Sequence, residues 1–288
     1  MYQQQINHIN RTAIVLVVDG SLSMKKMTSI HTMRRPRAEA AALVCNYIID
    51  ELLERATRFD TVRNYYDIAA IGYSGEGVVS LLPGDGKGFV AINRLAEMAP
   101  QPTTTYVEHR TPEGETIEVP FVLHPWVTPT ATGATPMYEA LVEVRDMVKA
   151  WCEHPDNRDS FPPIVFHITD GTASDASESE LIDIAQRITK TSTRDGNTLF
   201  INVHLSSTDR TDAFCEVFPS EATFHTDDPE RLLLYRMSSV IPRRMEPQIA
   251  DMLHPVYKGP YRAVAFNTTV YEILSIISIG SESINAIR

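Results

Sequence analysis

Five residues in three separate stretches carry oxygen donors of the kind that hold a hard cation. Asp19, Ser21 and Ser23 form a D-x-S-x-S string that puts one carboxylate and two hydroxyls on one tight loop. Thr135 stands in Gly133-Ala134-Thr135-Pro136, just ahead of a stretch of helical period, and Asp170 begins an Asp170-Gly171 pair. Magnesium prefers about six oxygen ligands and usually keeps several waters, so alcohols with one or two carboxylates suit it. The set lacks His and Cys, which disfavours zinc, copper and iron. Each piece also has an ordinary structural reading. Asp19 and Ser21 can cap a following turn, Thr135-Pro136 can open a helix, and Asp170-Gly171 is a common turn pair.

The elements that must position these residues follow from the apolar pattern. Residues 13–18 (AIVLVV) are a continuous run rich in β-branched types, as in a central strand buried on both faces of a parallel sheet. Between residues 37 and 58, Ala41, Val44, Cys45, Ile48, Leu52 and Leu53 recur near helical spacing, which predicts a long amphipathic crossover helix. Residues 66–73 predict a second strand, with a short antiparallel strand at 78–82 returning through a turn at 74–76. A helix over 89–98 and a β-hairpin inserted at 103–127 follow. Then come helices over 137–151 and 181–191 and strands over 163–169 and 198–205. The last third predicts helices at 212–218 and 230–240, with a final strand at 222–225 between them; Asp228 and Pro229 read as an N-cap and a first-turn proline rather than a metal site. The order is that of an α/β fold: a doubly wound, mostly parallel sheet with one antiparallel edge strand and an inserted hairpin. In such sheets ligands bind outside the carboxyl ends of the strands. Asp19 and Asp170 each follow a strand directly, and Thr135 leads a helix.

With those positions filled, the chain resembles the von Willebrand factor type A (vWA) domain family, including the integrin I-like domains. Its metal-ion-dependent adhesion site is built from D-x-S-x-S, a separated Thr and an Asp in a T-D-G context. Here the matching positions are Asp19, Ser21, Ser23, Thr135 and Asp170, and the element order matches over residues 10–242. The D-x-S-x-S string alone is weak. Its place after an apolar strand, joined to G-x-T-P before a helix and I-T-D-G after another strand, is specific. The resemblance implies a Rossmann-like fold that binds Mg²⁺ (Mn²⁺ or Ca²⁺ as substitutes), with the serines and threonine contacting the ion and the aspartates acting largely through water. It also implies a protein partner whose Asp or Glu carboxylate completes the coordination sphere. The nearest subgroup is the stand-alone intracellular bacterial type, including the tellurium-resistance-associated group, which implies an assembly or regulatory factor in a stress-response complex.

Composition narrows the field. The chain has 288 residues, 26 Lys+Arg and 37 Asp+Glu, a net charge of −11, 43% hydrophobic and 22% charged residues. Those values fit an ordinary globule large enough for its own core and exclude collagenous or disordered chains. The acidic balance argues against nucleic-acid binding. The start shows no basic region followed by an apolar stretch, and the apolar run at 270–279 is too short to span a bilayer. Cys45, Cys152 and Cys215 lie far apart and match no zinc spacing, so they read as small buried groups in a reducing compartment. A cytoplasmic protein with no membrane or nucleic-acid partner is expected.

Three further features bear on function. Lys25, Lys26, His31, Arg34, Arg35 and Arg37 form a basic stretch after the first loop, suited to steering an acidic partner. Tyr106, His109, Phe121 and Trp126 of the hairpin read either as specificity contacts or as cover for a sheet edge. Residues 243–288 read as an extension that packs on the domain or on a partner, with a strand near 263–266 and helical spacing over 268–279. No HExxH, phosphate loop or nucleophile elbow is present, so the chain is expected not to be an enzyme. The rival reading is a Mg²⁺-dependent phosphoesterase with His31 or Asp175 as base.

Overall fold

The computed structural model describes residues 2–30, 33–84, 88–110, 116–206, 216–247, 249 and 259–267. An eight-stranded sheet forms its centre. The strands are β1 (Thr12–Asp19), β2 (Tyr66–Ser74), β3 (Gly77–Ser80), β4 (Val90–Ala91), β5 (Ile164–Thr169), β6 (Leu199–His204), β7 (Glu216–Val217) and β8 (Val264–Phe266). They lie in the order β7-β8-β6-β5-β1-β2-β3, with β4 also paired to β2. The five strands β8, β6, β5, β1 and β2 run parallel, while β7, β3 and β4 are antiparallel to their neighbours.

Among the described residues, helices α1 (Arg37–Ala56), α2 (Ile92–Glu97), α3 (Met137–Glu153), α4 (Glu178–Lys190) and α5 (Pro229–Met237) cover the faces. Strand alternation decides which core each side chain enters. Ile14, Leu16 and Val18 pack with Val44, Cys45, Ile48 and Leu52 of α1. Ala13, Val15 and Val17 pack with Leu141 and Val144 of α3 and Ile184 of α4. Both faces of β1 are therefore buried, which explains its unbroken apolar run. Truncating a central contact such as Ile48 to Ala would cost about 2–5 kcal/mol.

The sheet is doubly wound about β1. The chain leaves β1 for β2 on one side, and β5 lies on the other, so the carboxyl ends of β1 and β5 flank the point where the winding reverses. Asp19 is the last residue of β1, and Asp170 directly follows β5. This is where a ligand crevice opens in such folds.

Several expectations need correction. The segment expected as a helix over 89–98 begins with β4, whose Val90 and Ala91 pair with Ile68 and Asp67 before α2 starts. Residues 222–225 form no strand: Thr223 and Phe224 donate their N–H groups to the Ser220 carbonyl in a local turn. The helix expected over 212–218 meets β7 at Glu216–Val217, and its residues 212–215 lie outside the described residues. The sheet also runs past residue 242. Val264–Phe266 is the strand expected near 263–266; it pairs in parallel with β6 and antiparallel with β7, so this part of the extension packs on the domain. The helix expected over 268–279 lies outside the described residues. The inserted hairpin, Thr103–Arg110 with Thr116–Leu123, forms its own two-stranded sheet.

Candidate metal centre

Three loops meet at the carboxyl ends of β1 and β5, and backbone hydrogen bonds fasten them together. Gly20 N–H donates to the Tyr73 carbonyl at 2.8 Å and Thr132 N–H to the Gly20 carbonyl at 2.8 Å, while Leu22 N–H donates to the Gly133 carbonyl at 3.1 Å. The Thr132–Thr135 stretch is thus held between the ends of β1 and β2. Gly133 has φ +63°, and a Cβ there would stand 2.5 Å from the Gly75 Cα, so both the backbone conformation and the close approach require glycine. On the far side, Ser174 N–H donates to the Thr135 carbonyl at 3.0 Å, and Thr135 N–H donates to the Ser174 hydroxyl at 2.9 Å. The loop after β5 is thereby clamped to the loop bearing Thr135.

The first loop presents its donors in close array. Asp19 is 1% exposed; Oδ1 accepts the Ser21 N–H at 2.9 Å and Oδ2 accepts the Thr169 hydroxyl at 2.9 Å. The Thr169 oxygen in turn accepts the Gly171 N–H at 3.0 Å. Burial pushes the Asp19 carboxyl up to about 6; hydrogen bonding from Ser21 opposes the rise, and the Asp170 charge adds to it. Ser21 Oγ and Ser23 Oγ are 3.0 Å apart. Thr135 is buried, and among the described residues its hydroxyl has no hydrogen-bond partner. It does not cap α3, as one structural reading of Thr135-Pro136 would have it. Asp175 does so instead, accepting the N–H groups of Tyr138 and Glu139 at 3.1 and 3.0 Å.

Asp170 is surrounded differently. Its Oδ2 accepts Nη1 of Arg37 at 2.7 Å, in an ion pair whose side chains are 6% and 2% exposed. Its Oδ1 accepts the Thr172 hydroxyl at 2.8 Å, and its backbone carbonyl is 3.1 Å from Nε2 of His204. Burial holds the His204 imidazole down to about 4, so at neutral pH it is uncharged and Nε2 is the donor. Arg37 corrects the sequence reading directly: it does not belong to an exposed basic loop but opens α1 as a buried partner of Asp170. Lys25, Lys26 and Arg34 are exposed, flanking or within a small hairpin of Met27–Ile30 and Met33–Pro36. His31 lies outside the described residues.

The donor set fits a hard divalent ion. The hydroxyls of Ser21, Ser23 and Thr135 would hold it directly. Asp19 and Asp170, whose oxygens are already bonded to protein groups, would act through water, as the resemblance implied. Among the described residues no three or more His, Cys, Asp or Glu side chains group together as a metal site.

Sequence reasoning did not single out Thr169, Thr172, Ser174 or the pairing of Arg37. Thr169 lay within the I-T-D-G string and was legible there, because strand alternation sets it on the opposite face from Ile168. Arg37 had no local signal. Of the hairpin residues, Trp126 is buried, and its indole N–H donates to Asp50 at 2.8 Å, so it anchors the insertion to α1 rather than meeting a partner. Tyr106 is about half exposed. The side chains of His109 and Phe121 lie outside the described residues.

A second polar group sits nearby within the sheet. Tyr73 OH is 2.8 Å from His167 Nε2, His167 Nδ1 is 2.8 Å from Asn202 Oδ1, and Asn202 Nδ2 donates to Ser238 Oγ at 2.8 Å. The Asn202 acceptor places the His167 proton on Nδ1, so Nε2 accepts from Tyr73. His167 is a satisfied core residue.

The fold is thus a doubly wound, mostly parallel α/β sheet, with the five motif residues carried on three joined loops at the switch point. Among solved structures, the chain is similar to a von Willebrand factor type A protein from Catenulispora acidiphila, with TM-score 0.40 and 14% identity over 68% of this chain and 33% of that one. It is also similar to the three N-terminal domains of the type V pili tip protein Mfa5 from Porphyromonas gingivalis, with TM-score 0.34 and 13% identity over 57% of this chain and 20% of that one. The chain therefore spans about a third and a fifth of those two chains. No family model matches it, and no curated protein does.

Proposed function

We propose that this chain is a Mg²⁺-dependent protein-interaction module, with Mn²⁺ or Ca²⁺ able to substitute, and that it binds a partner protein through an Asp or Glu carboxylate. The observation that carries this reading is the hydroxyl set beside buried Asp19. Ser21 Oγ and Ser23 Oγ stand 3.0 Å apart, and among the described residues the Thr135 hydroxyl has no hydrogen-bond partner. Neutral alcohols leave a divalent charge poorly compensated, so the ion seeks an external anion. Exposed Lys25 and Lys26, just beyond Ser23, supply the field that draws an acidic surface in.

The module is not an enzyme in this reading. Hydrolysis would need a positioned base, and the Asp175 carboxylate is already bonded to two backbone N–H groups of α3. We further place it in the cytoplasm, as an assembly or regulatory factor in a bacterial stress-response complex. Cys45 and Cys152 are buried free thiols, as suits a reducing compartment, and burial pushes the Cys152 thiol up to about 12. Among the described residues no helix is long and apolar enough to cross a membrane. The test is a pull-down from native lysate with Mg²⁺ or with chelator, repeated with Asp19→Ala. A partner retained only by the unsubstituted chain with Mg²⁺ supports the reading; a partner retained equally in all arms defeats it.

A further inference from the structure

We infer that Arg37 is a built-in counter-charge that makes the metal centre dependent on an external carboxylate, so that ion and acidic partner bind cooperatively. The inference rests on the metal-dependent reading above and concerns how that same site is regulated. Its basis is the ion pair itself: Arg37 Nη1 lies 2.7 Å from Asp170 Oδ2, with the two side chains 6% and 2% exposed.

The charge balance follows from the groups present. Asp19 and Asp170 alone would neutralise a divalent ion. Arg37 cancels one of them, so a divalent ion arriving at this site leaves one positive charge uncompensated beside a buried ion pair. Residual charge is costly there. A single carboxylate from outside restores neutrality. Metal alone should therefore bind weakly, metal with an anion much more tightly, and by linkage each should raise the affinity of the other by the same factor.

The position of Arg37 makes the arrangement persistent. It is the first residue of α1; its N–H donates to the Lys26 carbonyl at 2.9 Å, and Ala38, Ala40 and Ala41 beside it are core residues. Its guanidinium is buried against Asp170, where a planar fork of donors matches a carboxylate. Thr172 holds the other Asp170 oxygen, so the carboxylate is fixed from both sides. Arg37 is a positioning and charge-setting residue, with no contact to the partner required.

The test measures Mn²⁺ affinity by calorimetry, with and without a blocked short peptide bearing one Glu, for the unsubstituted chain, Arg37→Met and Arg37→Lys. In the unsubstituted chain the peptide should raise Mn²⁺ affinity on the order of 5- to 100-fold. Arg37→Met should bind Mn²⁺ alone about tenfold more tightly, with the peptide effect collapsing towards unity, and Arg37→Lys should keep most of the coupling. Thermal melts guard against misfolding: Arg37→Met should melt lower without metal and gain more from Mn²⁺ than the unsubstituted chain, because the ion replaces the lost counter-charge. Equal coupling in Arg37→Met, absence of coupling in the unsubstituted chain, or weaker Mn²⁺ binding by Arg37→Met overturns the inference while leaving the metal reading in place. Failure of the unsubstituted chain to bind Mn²⁺ with the peptide present overturns both.

Discussion

Two polar clusters meet at β5, and they treat their hydrogen-bonding capacity in opposite ways. The line from Tyr73 through His167 and Asn202 to Ser238 sits inside the sheet and pairs each member with the next at 2.8 Å. The cluster at the carboxyl ends of β1 and β5 has its carboxylates bonded, yet leaves alcohol oxygen capacity over at Ser21, Ser23 and Thr135. Buried polar groups are costly when unmatched, so a complete network is explained by stability alone. In the proposed reading, that leftover capacity is what an external ligand takes up.

That contrast can be broken or sharpened by substitution. The largest effect should come from Ser21→Ala with Ser23→Ala, which removes both members of a mutual hydrogen bond. Mn²⁺ affinity measured by calorimetry should fall on the order of 100-fold or more, while stability in urea shifts by less than about 1 kcal/mol. A large loss of stability would mean that these serines belong with the structural line. Asn202→Ala should show the reverse pattern. It strands His167 Nδ1 and removes the bond to Ser238, costing about 2–3 kcal/mol of stability with Mn²⁺ affinity nearly unchanged.

The internal line should also have its own pH signature. Burial holds the His167 imidazole down to about 4, and the bond to Asn202 opposes that shift only in part. The unfolded chain takes up the proton near pH 6.5, whereas the folded chain takes it up only near 4. Between those values the unfolded state binds more protons, and stability falls as pH falls. The His167 share of that loss should be about 3 kcal/mol at pH 4, read as the difference between the urea midpoints of the unsubstituted chain and His167→Gln across that window. The smallest effect is expected at the approach to the site. Lys25→Glu with Lys26→Glu should slow association of an acidic partner about tenfold or less at low salt, with little change near physiological salt and none in ion affinity, as read by stopped-flow.

Much of this contrast was legible in the chain, for identifiable reasons. The apolar run of β1 and the helical spacing of α1 are strong periodic signals, because both elements bury wide faces against a single core. The five motif residues were legible because each follows or precedes such an element directly. The failures cluster where short pairings decide the structure. β4 and β7 have two residues each, too few to show a period, and their strand state depends on neighbours distant in sequence. Arg37 was misplaced for a similar reason. A run of basic residues suggests a solvated loop, and only the tertiary fold brings Asp170, far along the chain, against it.

The placement of β8 bears on the order in which the molecule can be assembled. Residues 264–266 are sandwiched between β6 and β7, so the rim at β6 stays open, and β7 has no neighbour, until a segment made some fifty residues later arrives. During synthesis the nascent chain must therefore carry an exposed ribbon edge of the kind that invites misassociation. A fragment stopped at residue 242 would keep that edge permanently.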